Sequence, residues 1–355
     1  MLEGFTPWPD HLVDRYRERG YWRDEPLGEY FAACVEAYGD RTAMVFEDQT
    51  VSYRELGDRV EELARSFLGH GIGLYDRVVV QLQNHPDFVY TYFGLVTAGA
   101  IPVLALPPHR QREIGHFIEK TEAVAYVVPD EFNGFDYVEM AQDMVEAQDD
   151  LEHVFVSGET PDRFVALADL DGSEASRAEL DDRIGRIDPM EPAIFQLSGG
   201  TTGIPKIIPR THNDYVYNSI GFAEVHGMSE SSSLLVVLPI AHNFALASPG
   251  IQGVLFNGGR IVLSESTRPD EAFPLIDRHA VTHIELVPAL LIKWLEDGPF
   301  SAYDVSSVEV VNTGGQRLQP EVYRRADSAF PNATIQEVFG MAEGLLCSPH
   351  LDDPE

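Results

Sequence analysis

Apolar residues recur along this chain in two alternating patterns, one at helical spacing and one as short unbroken runs. Ser52, with Glu55 three positions later, carries a capping-box signature; Leu56, Val60, Leu63, Ala64, Phe67 and Leu68 then fall on one helical face, which Gly69 and Gly71 close. Beyond it the runs predict a buried strand over 77–82, a helix over 86–98, a strand over 101–105, a helix over 112–121 and a strand over 123–128. The stretch 139–192 is more acidic and less regular, with a strand-like Val154-Phe155-Val156 inside it. After a soft boundary at 187–192 the alternation resumes, with strands expected over 193–197, 234–238, 261–263, 283–287, 308–311 and 334–339, separated by helical segments.

Helices and strands in alternation predict an α/β fold, in two successive modules over 1–190 and 191–355. No short repeat of the solenoid kind is present. The most apolar stretch, Phe88 to Leu106, is divided by Gly94, Gly99 and Pro102, which fits a buried helix running into a buried strand better than a membrane span.

Charge changes the picture of the surface. The 355 residues carry 58 acidic against 25 basic side chains, a formal net charge of −33, and the acids are scattered through patterned segments. With 44% hydrophobic residues the chain can still build a core. A folded body with a strongly acidic skin follows, one suited to high salt and unsuited to bulk-charge attraction to nucleic acid or anionic membrane. Two cysteines, Cys34 and Cys347, form no disulfide framework or metal-ligand spacing, and the first ten residues lack a secretory pattern, so a cytoplasmic setting is expected.

The strongest local chemistry lies in Gln196-Leu197-Ser198-Gly199-Gly200-Thr201-Thr202-Gly203-Ile204-Pro205-Lys206. A predicted strand feeds a loop of glycines and hydroxyls that closes on a lysine. Glycines let backbone N–H groups approach phosphate oxygens, hydroxyls donate further bonds and the lysine supplies positive charge. It is not a Walker loop, because Ile204-Pro205 follows Gly203. A flexible surface turn is the plainer alternative.

With its continuation through Arg210-Thr211-His212-Asn213-Asp214-Tyr215, this loop resembles the phosphate-loop signature of the acyl-adenylate-forming superfamily in its aryl-acid version. Four further segments stand in the matching order: Ser52-Tyr53-Arg54-Glu55-Leu56, Ala241-His242-Asn243-Phe244, Asn312-Thr313-Gly314-Gly315 and Val338-Phe339-Gly340-Met341-Ala342-Glu343-Gly344-Leu345. Gly20-Tyr21-Trp22 is similar to the aryl-acid branch as well.

The resemblance implies a large N-terminal lobe of two αβαβα-type subdomains with a distorted β-barrel portion. It also implies a reaction in which an aryl carboxylate, 2,3-dihydroxybenzoate or salicylate, attacks ATP to give an aryl-AMP and pyrophosphate with magnesium, for siderophore biosynthesis. Lys206, Thr202, Glu343 and His242 are then the candidate catalytic residues. Ser198, Gly199, Gly200, Thr201, Thr202, Gly203 and Lys206 would cradle phosphates; Gly314, Gly315, Gln336, Glu337, Val338, Phe339, Gly340 and Met341 would meet the nucleotide. Glu343 would hold the Mg2+ ion, and a single protein carboxylate suits an ion held mostly by phosphates. His242 would line the path to the acyl pocket rather than act as a base, since a carboxylate needs no deprotonation at neutral pH.

For the substrate, Asn243 would contact the ortho-hydroxyl, Ser248 the second polar group, and Phe244, Val338 and Leu346 the ring, with Gln316 nearby. Three positions depart from the catechol-specific pattern: Gln316 and Glu285 replace small residues and Leu346 replaces a valine. A more polar or bulkier floor would shift preference toward salicylate, another hydroxybenzoate or a heteroaryl acid. Family members continue past the point corresponding to Glu355 with a ribose-binding aspartate, a hinge and a small mobile domain bearing a catalytic lysine. This chain alone is therefore expected to bind its ligands and turn over slowly, with a carrier protein, coenzyme A or a separate C-terminal domain as partners. An acyl-CoA ligase for another aromatic or fatty acid, and a noncatalytic, partner-dependent binding fragment, stand as alternatives.

Overall fold

The computed structural model describes residues 4–198, 203–351 and 353. The chain folds into two compact units, each assembled from separated segments: Met1–Ala33, Glu55–Gln83 and Asp87–Tyr217 in the first, Cys34–Arg54, Asn84–Pro86 and Asn218–Glu355 in the second. Residues 187–192 lie within the first unit.

The first unit holds a seven-stranded sheet in the order Ile207–Thr211, Pro192–Leu197, Ile101–Leu104, Arg77–Val80, Ala125–Pro129, His153–Ser157, Val165–Ala166. Every pairing is parallel except the edge hairpin of 192–197 with 207–211. Parallel sheets are covered on both faces, and the runs Val78–Val80, Ile101–Leu104 and Ala125–Pro129 are accordingly buried throughout. The helix Tyr53–Gly69 buries Leu56, Val60, Leu63, Ala64 and Phe67 as its periodicity predicts, and the next helix, Pro86–Thr97, is buried along most of its length.

The acidic stretch is more regular than expected. It contains the helices Tyr137–Ala147 and Arg177–Ile184. The first buries Tyr137, Met140, Ala141 and Met144 at helical spacing; the second buries only Leu180 and is held by a true capping box between Ser176 and Glu179. Dense surface charge hid a narrow apolar stripe in both.

The second unit holds an eight-stranded sheet in the order Leu346–Cys347, Thr334–Gly340, Val310–Gly314, His283–Leu286, Ser233–Val236, Arg260–Leu263, Thr42–Phe46, Gln49–Ser52. Its inner pairings are all parallel, and antiparallel hairpin strands close both ends. The strand expected over 308–311 runs instead from Val310 to Gly314, because the polar Asn312 and Thr313 are buried in the sheet. One face packs on a cluster around Trp294, Phe273 and Phe330, in which Trp294 donates its indole N–H to Thr267 O at 2.9 Å.

Among the described residues, no helix is long and apolar enough to cross a membrane. Many of the few cations are already engaged at the surface, as in Arg54–Asp40, Arg177–Asp181 and Arg324–Glu321, so the acid excess is left to repel itself. Screening should therefore stabilise the fold: calorimetry at about 0.1 and about 1 M NaCl is expected to show the unfolding temperature rising with salt, and a fall would show the ion pairs to dominate.

Candidate active site

The glycine-rich segment joins two strands, Pro192–Leu197 and Ile207–Thr211, that pair antiparallel. Leu197 is in register with Ile207, and just beyond them Ser198 N–H donates to Lys206 O at 3.0 Å while Lys206 N–H donates to Ser198 Oγ at 2.9 Å. Two hydrogen bonds thus pinch the neck of the loop and leave the Lys206 side chain exposed. Gly199, Gly200, Thr201 and Thr202 lie outside the described residues. Gly203 is exposed, and a Cβ added there would meet nothing within 4 Å, so packing does not require the glycine.

The rest of that motif is structural. The buried Arg210 guanidinium forks onto the Asp214 carboxylate and lies 5.0 Å from the Tyr215 ring centroid, and Tyr215 shares a hydrogen bond of 3.1 Å with the Gln196 amide. His212 Nδ1 accepts the Leu27 N–H at 3.1 Å; the ring is fully buried, which drives its pKa down to about 3 and keeps it neutral. Asn213 accepts the Asp24 N–H and donates to the Asp24 carboxylate, both at 2.9 Å. These residues therefore fasten the segment 24–27 within the first unit.

In the second unit, the parallel strands deliver their C-terminal ends to one group of candidate residues, as ligand sites in α/β sheets commonly require. Asn243 opens the short helix Asn243–Ala247 and is buried; its Nδ2 donates to Ser248 Oγ at 3.0 Å. Phe244 and Val338 belong to one buried cluster with Phe222, Leu238 and Ala245, and Leu346 packs against it. A Cβ on Gly314 would stand 3.1 Å from Val338 O and 3.5 Å from Phe244 Cζ. The glycine is thus needed for close approach, and with Phe244 in this rotamer no ring fits between the two. Gly315 follows at φ +85°, a turn conformation that glycine adopts freely.

His242 caps the short helix through Nδ1, which accepts the Phe244 N–H at 3.2 Å. It is exposed yet closely surrounded by protein, and desolvation holds its imidazole below the ordinary range. Gln336 is buried and donates to Pro349 O at 2.8 Å. Glu337 is exposed and its carboxylate accepts the Leu318 N–H at 3.2 Å. Gln316 is exposed. Glu343 stands exposed in the turn between strands Thr334–Gly340 and Leu346–Cys347, a turn tied by Met341 N–H to Leu345 O at 2.9 Å. On that hairpin Phe339, Met341 and Leu345 are 67%, 45% and 53% exposed, an unusual apolar lip. No cluster of three or more potential metal ligands exists among the described residues, so Glu343 fits a cation only as one ligand beside phosphate oxygens.

Sequence reasoning missed Asn84. Its Nδ2 lies 3.2, 2.9 and 2.9 Å from Val236 O, Leu238 O and Ser264 O, and its Oδ1 accepts the Ile240 N–H at 2.8 Å. It thereby holds the chain that leads into His242 and Asn243. The only signal was a polar break, Gln83-Asn84-His85, after an apolar run. A surface hollow of about 600 Å³ near Glu174, Arg183 and Arg186 includes no candidate residue.

The comparisons with known proteins bear on this arrangement. Residues 31–355 match the AMP-binding enzyme family. The chain belongs to that family. Among its relatives is the 2,3-dihydroxybenzoate-AMP ligase of Bacillus subtilis, 44% identical over 355 residues, covering 100% of this chain and 64% of the relative. The salicyl-AMP ligase / salicyl-S-ArCP synthetase of Mycobacterium tuberculosis is 39% identical, covering 99% of this chain and 62% of its own length. The apo structure of Mycobacterium smegmatis MbtA superposes with a TM-score of 0.89 at 38% identity, over 99% of this chain and 63% of that one. The chain therefore spans less than two thirds of the length of these family members.

Two outcomes test the local account. Asn84→Ala is expected to cost about 2–3 kcal/mol in urea unfolding, whereas a loss under about 0.5 kcal/mol would show the turn to be held otherwise. Burial raises the Glu285 carboxyl from 4.5 to about 8, so its contribution favours folding most below pH 4.5 and is lost as pH rises toward about 8. Glu285→Gln should flatten the fall in unfolding temperature over that window, and an unchanged slope would contradict it.

Proposed function

We propose that this chain is the nucleotide- and acid-binding lobe of an AMP-forming ligase that activates a hydroxybenzoate, salicylate or 2,3-dihydroxybenzoate, for siderophore assembly. The observation that carries the substrate reading is the Asn243–Ser248 amide–hydroxyl pair, 3.0 Å apart, bordering the Phe244, Val338 and Leu346 cluster. An amide and a hydroxyl can each donate or accept, which suits a phenol without burying a charge against it. A fatty-acid chain would bring no polar group to this pair.

In the proposed reaction a carboxylate oxygen attacks the α-phosphorus of ATP, the bond to the β,γ-diphosphate breaks, and pyrophosphate leaves with the electron pair. Ser198, Gly199, Gly200, Thr201, Thr202, Gly203 and Lys206 would hold the β- and γ-phosphates; the hydrogen bonds between Ser198 and Lys206 support this by holding the two ends of the motif together. Gly314, Gly315 and the segment Gln336, Glu337, Val338, Phe339, Gly340 and Met341 would take the adenosine, with the exposed Phe339 as a stacking surface. Glu343 would hold Mg2+, whose charge would offset that of the phosphates. His242 would orient the acid through its place at the helix entry, and Gln316 would border the ring.

The acceptor of the activated acid would be a thiol, on a carrier protein or coenzyme A. A reducing, cytoplasmic setting agrees with Cys34 and the exposed Cys347 standing outside any disulfide.

Calorimetric titration of the chain with Mg·ATP, salicylate and 2,3-dihydroxybenzoate tests the reading. Both ligand classes should bind; Lys206→Ala should weaken ATP about tenfold or more, and Asn243→Ala should weaken the hydroxybenzoate by a similar factor. Tight binding of a fatty acid with no response to hydroxybenzoates would overturn it.

A further inference from the structure

The two strands that bound the glycine-rich segment each carry a long polar side chain that is almost wholly buried: Gln196 and Arg210 are both 1% exposed. Antiparallel register sets Ile194 opposite Arg210 and Gln196 opposite Ile208. Directly opposed residues project to the same face, as do residues two apart on one strand, so Gln196 and Arg210 share a face. The other face carries Phe195, Leu197 and Ile207, which join the apolar core of that sheet. A slip of one residue would exchange the two sets.

Both polar side chains end on neighbouring residues of one helix, His212–Val225, which begins directly after the second strand. Arg210 Nε and Nη2 donate to the two oxygens of the Asp214 carboxylate at 2.5 and 3.0 Å, and Gln196 Nε2 donates to the Tyr215 hydroxyl at 3.1 Å. The Arg210 guanidinium also lies 5.0 Å from the Tyr215 ring centroid, which joins the two contacts into one set. The helical turn that receives them is itself fixed. Asp214 N–H donates to Thr211 Oγ1 at 3.2 Å, His212 accepts the Leu27 N–H, and Asn213 both accepts from and donates to Asp24. One turn of helix thus anchors the first strand two residues before Ser198 and the second strand four residues after Lys206. Those are the two residues whose mutual hydrogen bonds close the segment.

Burying a guanidinium and an amide is costly, and an apolar pair of similar volume would pack helix on sheet about as firmly. What the polar set supplies is direction, because a fork onto a carboxylate and a hydrogen bond to a hydroxyl are satisfied together in one placement of the strands on the helix. We propose that Gln196 and Arg210 are positioning residues for nucleotide binding. Through Tyr215 and Asp214 they hold Ser198 and Lys206 where the β- and γ-phosphates are gripped, and they touch no ligand themselves. This role rests on the phosphate-binding reading of Ser198 and Lys206 given above.

The test is calorimetric titration of the whole chain with Mg·ATP and with AMP, which lacks the β- and γ-phosphates, alongside a urea unfolding curve for each protein. The proteins are wild type, Gln196→Leu, Tyr215→Phe, their double variant, Arg210→Lys, and Lys206→Ala as the reference for a lost phosphate contact. Wild type is expected to prefer Mg·ATP to AMP, and each of Gln196→Leu and Tyr215→Phe to reduce that preference about fivefold, the worth of one hydrogen bond. The double variant should lose no more than either single one, since both act through the same bond. Arg210→Lys keeps a charge opposite Asp214 without the fork and should reduce the preference about threefold. A merely structural role would lower the urea midpoint and leave the ratio of the two affinities unchanged, and that result would overturn the proposal. Losses that multiply in the double variant would overturn it too. A preference lost in Lys206→Ala but untouched in Gln196→Leu and Tyr215→Phe would leave the phosphate-binding reading standing alone; a wild type without preference for Mg·ATP would remove both.

Discussion

The register of three parallel strands, His283–Leu286, Val310–Gly314 and Thr334–Gly340, decides where the chemistry of the second unit can lie. Hydrogen bonding of the ladder leaves no freedom to slide, because a slip of one residue would turn Asn312 and Gln336 to the opposite face and bring Thr313 and Glu337 into their place. From this one constraint follow the row of polar side chains, the glycine beyond it and the aromatic cluster that closes over the glycine. Gly314 is the sharpest consequence: a Cβ there would crowd Val338 and come into contact with the Phe244 ring.

Positioning of the remaining candidates depends on residues that never need touch a ligand. Asn84 ties together three carbonyls and an amide around the turn that feeds Asn243. In the first unit, Ser198 and Lys206 brace the neck of the loop, while Arg210, His212 and Asn213 spend their polar groups on Asp214, Leu27 and Asp24. A motif that reads as one string of ligand-binding residues is thus divided physically, with its first half left to the loop and its second half consumed by the fold.

Much of the architecture was legible because parallel strands are buried on both faces and announce themselves as unbroken apolar runs, as at 77–82, 101–105 and 193–197. The same logic failed where burial and polarity coincide. Asn312 and Thr313 fell outside the strand expected over 308–311 and are strand, because the sheet buries polar side chains there. The hairpin Thr42–Phe46 with Gln49–Ser52 and the strand Ile207–Thr211 left weak local signals, their stability coming from pairing with distant segments. The grouping of Asn243, Ser248, Phe244, Val338 and Leu346 was legible only through family resemblance, since no spacing in sequence joins residues a hundred positions apart. Glu285 stood out as a departure from the pattern, but its buried contact with the Gly250 amide could come only from the folded chain.

The central claim, that the surface over Gly314 opens to receive an aromatic acid beside Asn243, is tested most directly by a crystal structure of the chain with a non-hydrolysable salicyl-AMP mimic. The account predicts the ring seated over Gly314, its hydroxyl within hydrogen-bond reach of the Asn243 amide and the Phe244 ring rotated from its present contact. A mimic bound with its ring elsewhere, while Phe244 still covers Gly314, would contradict it.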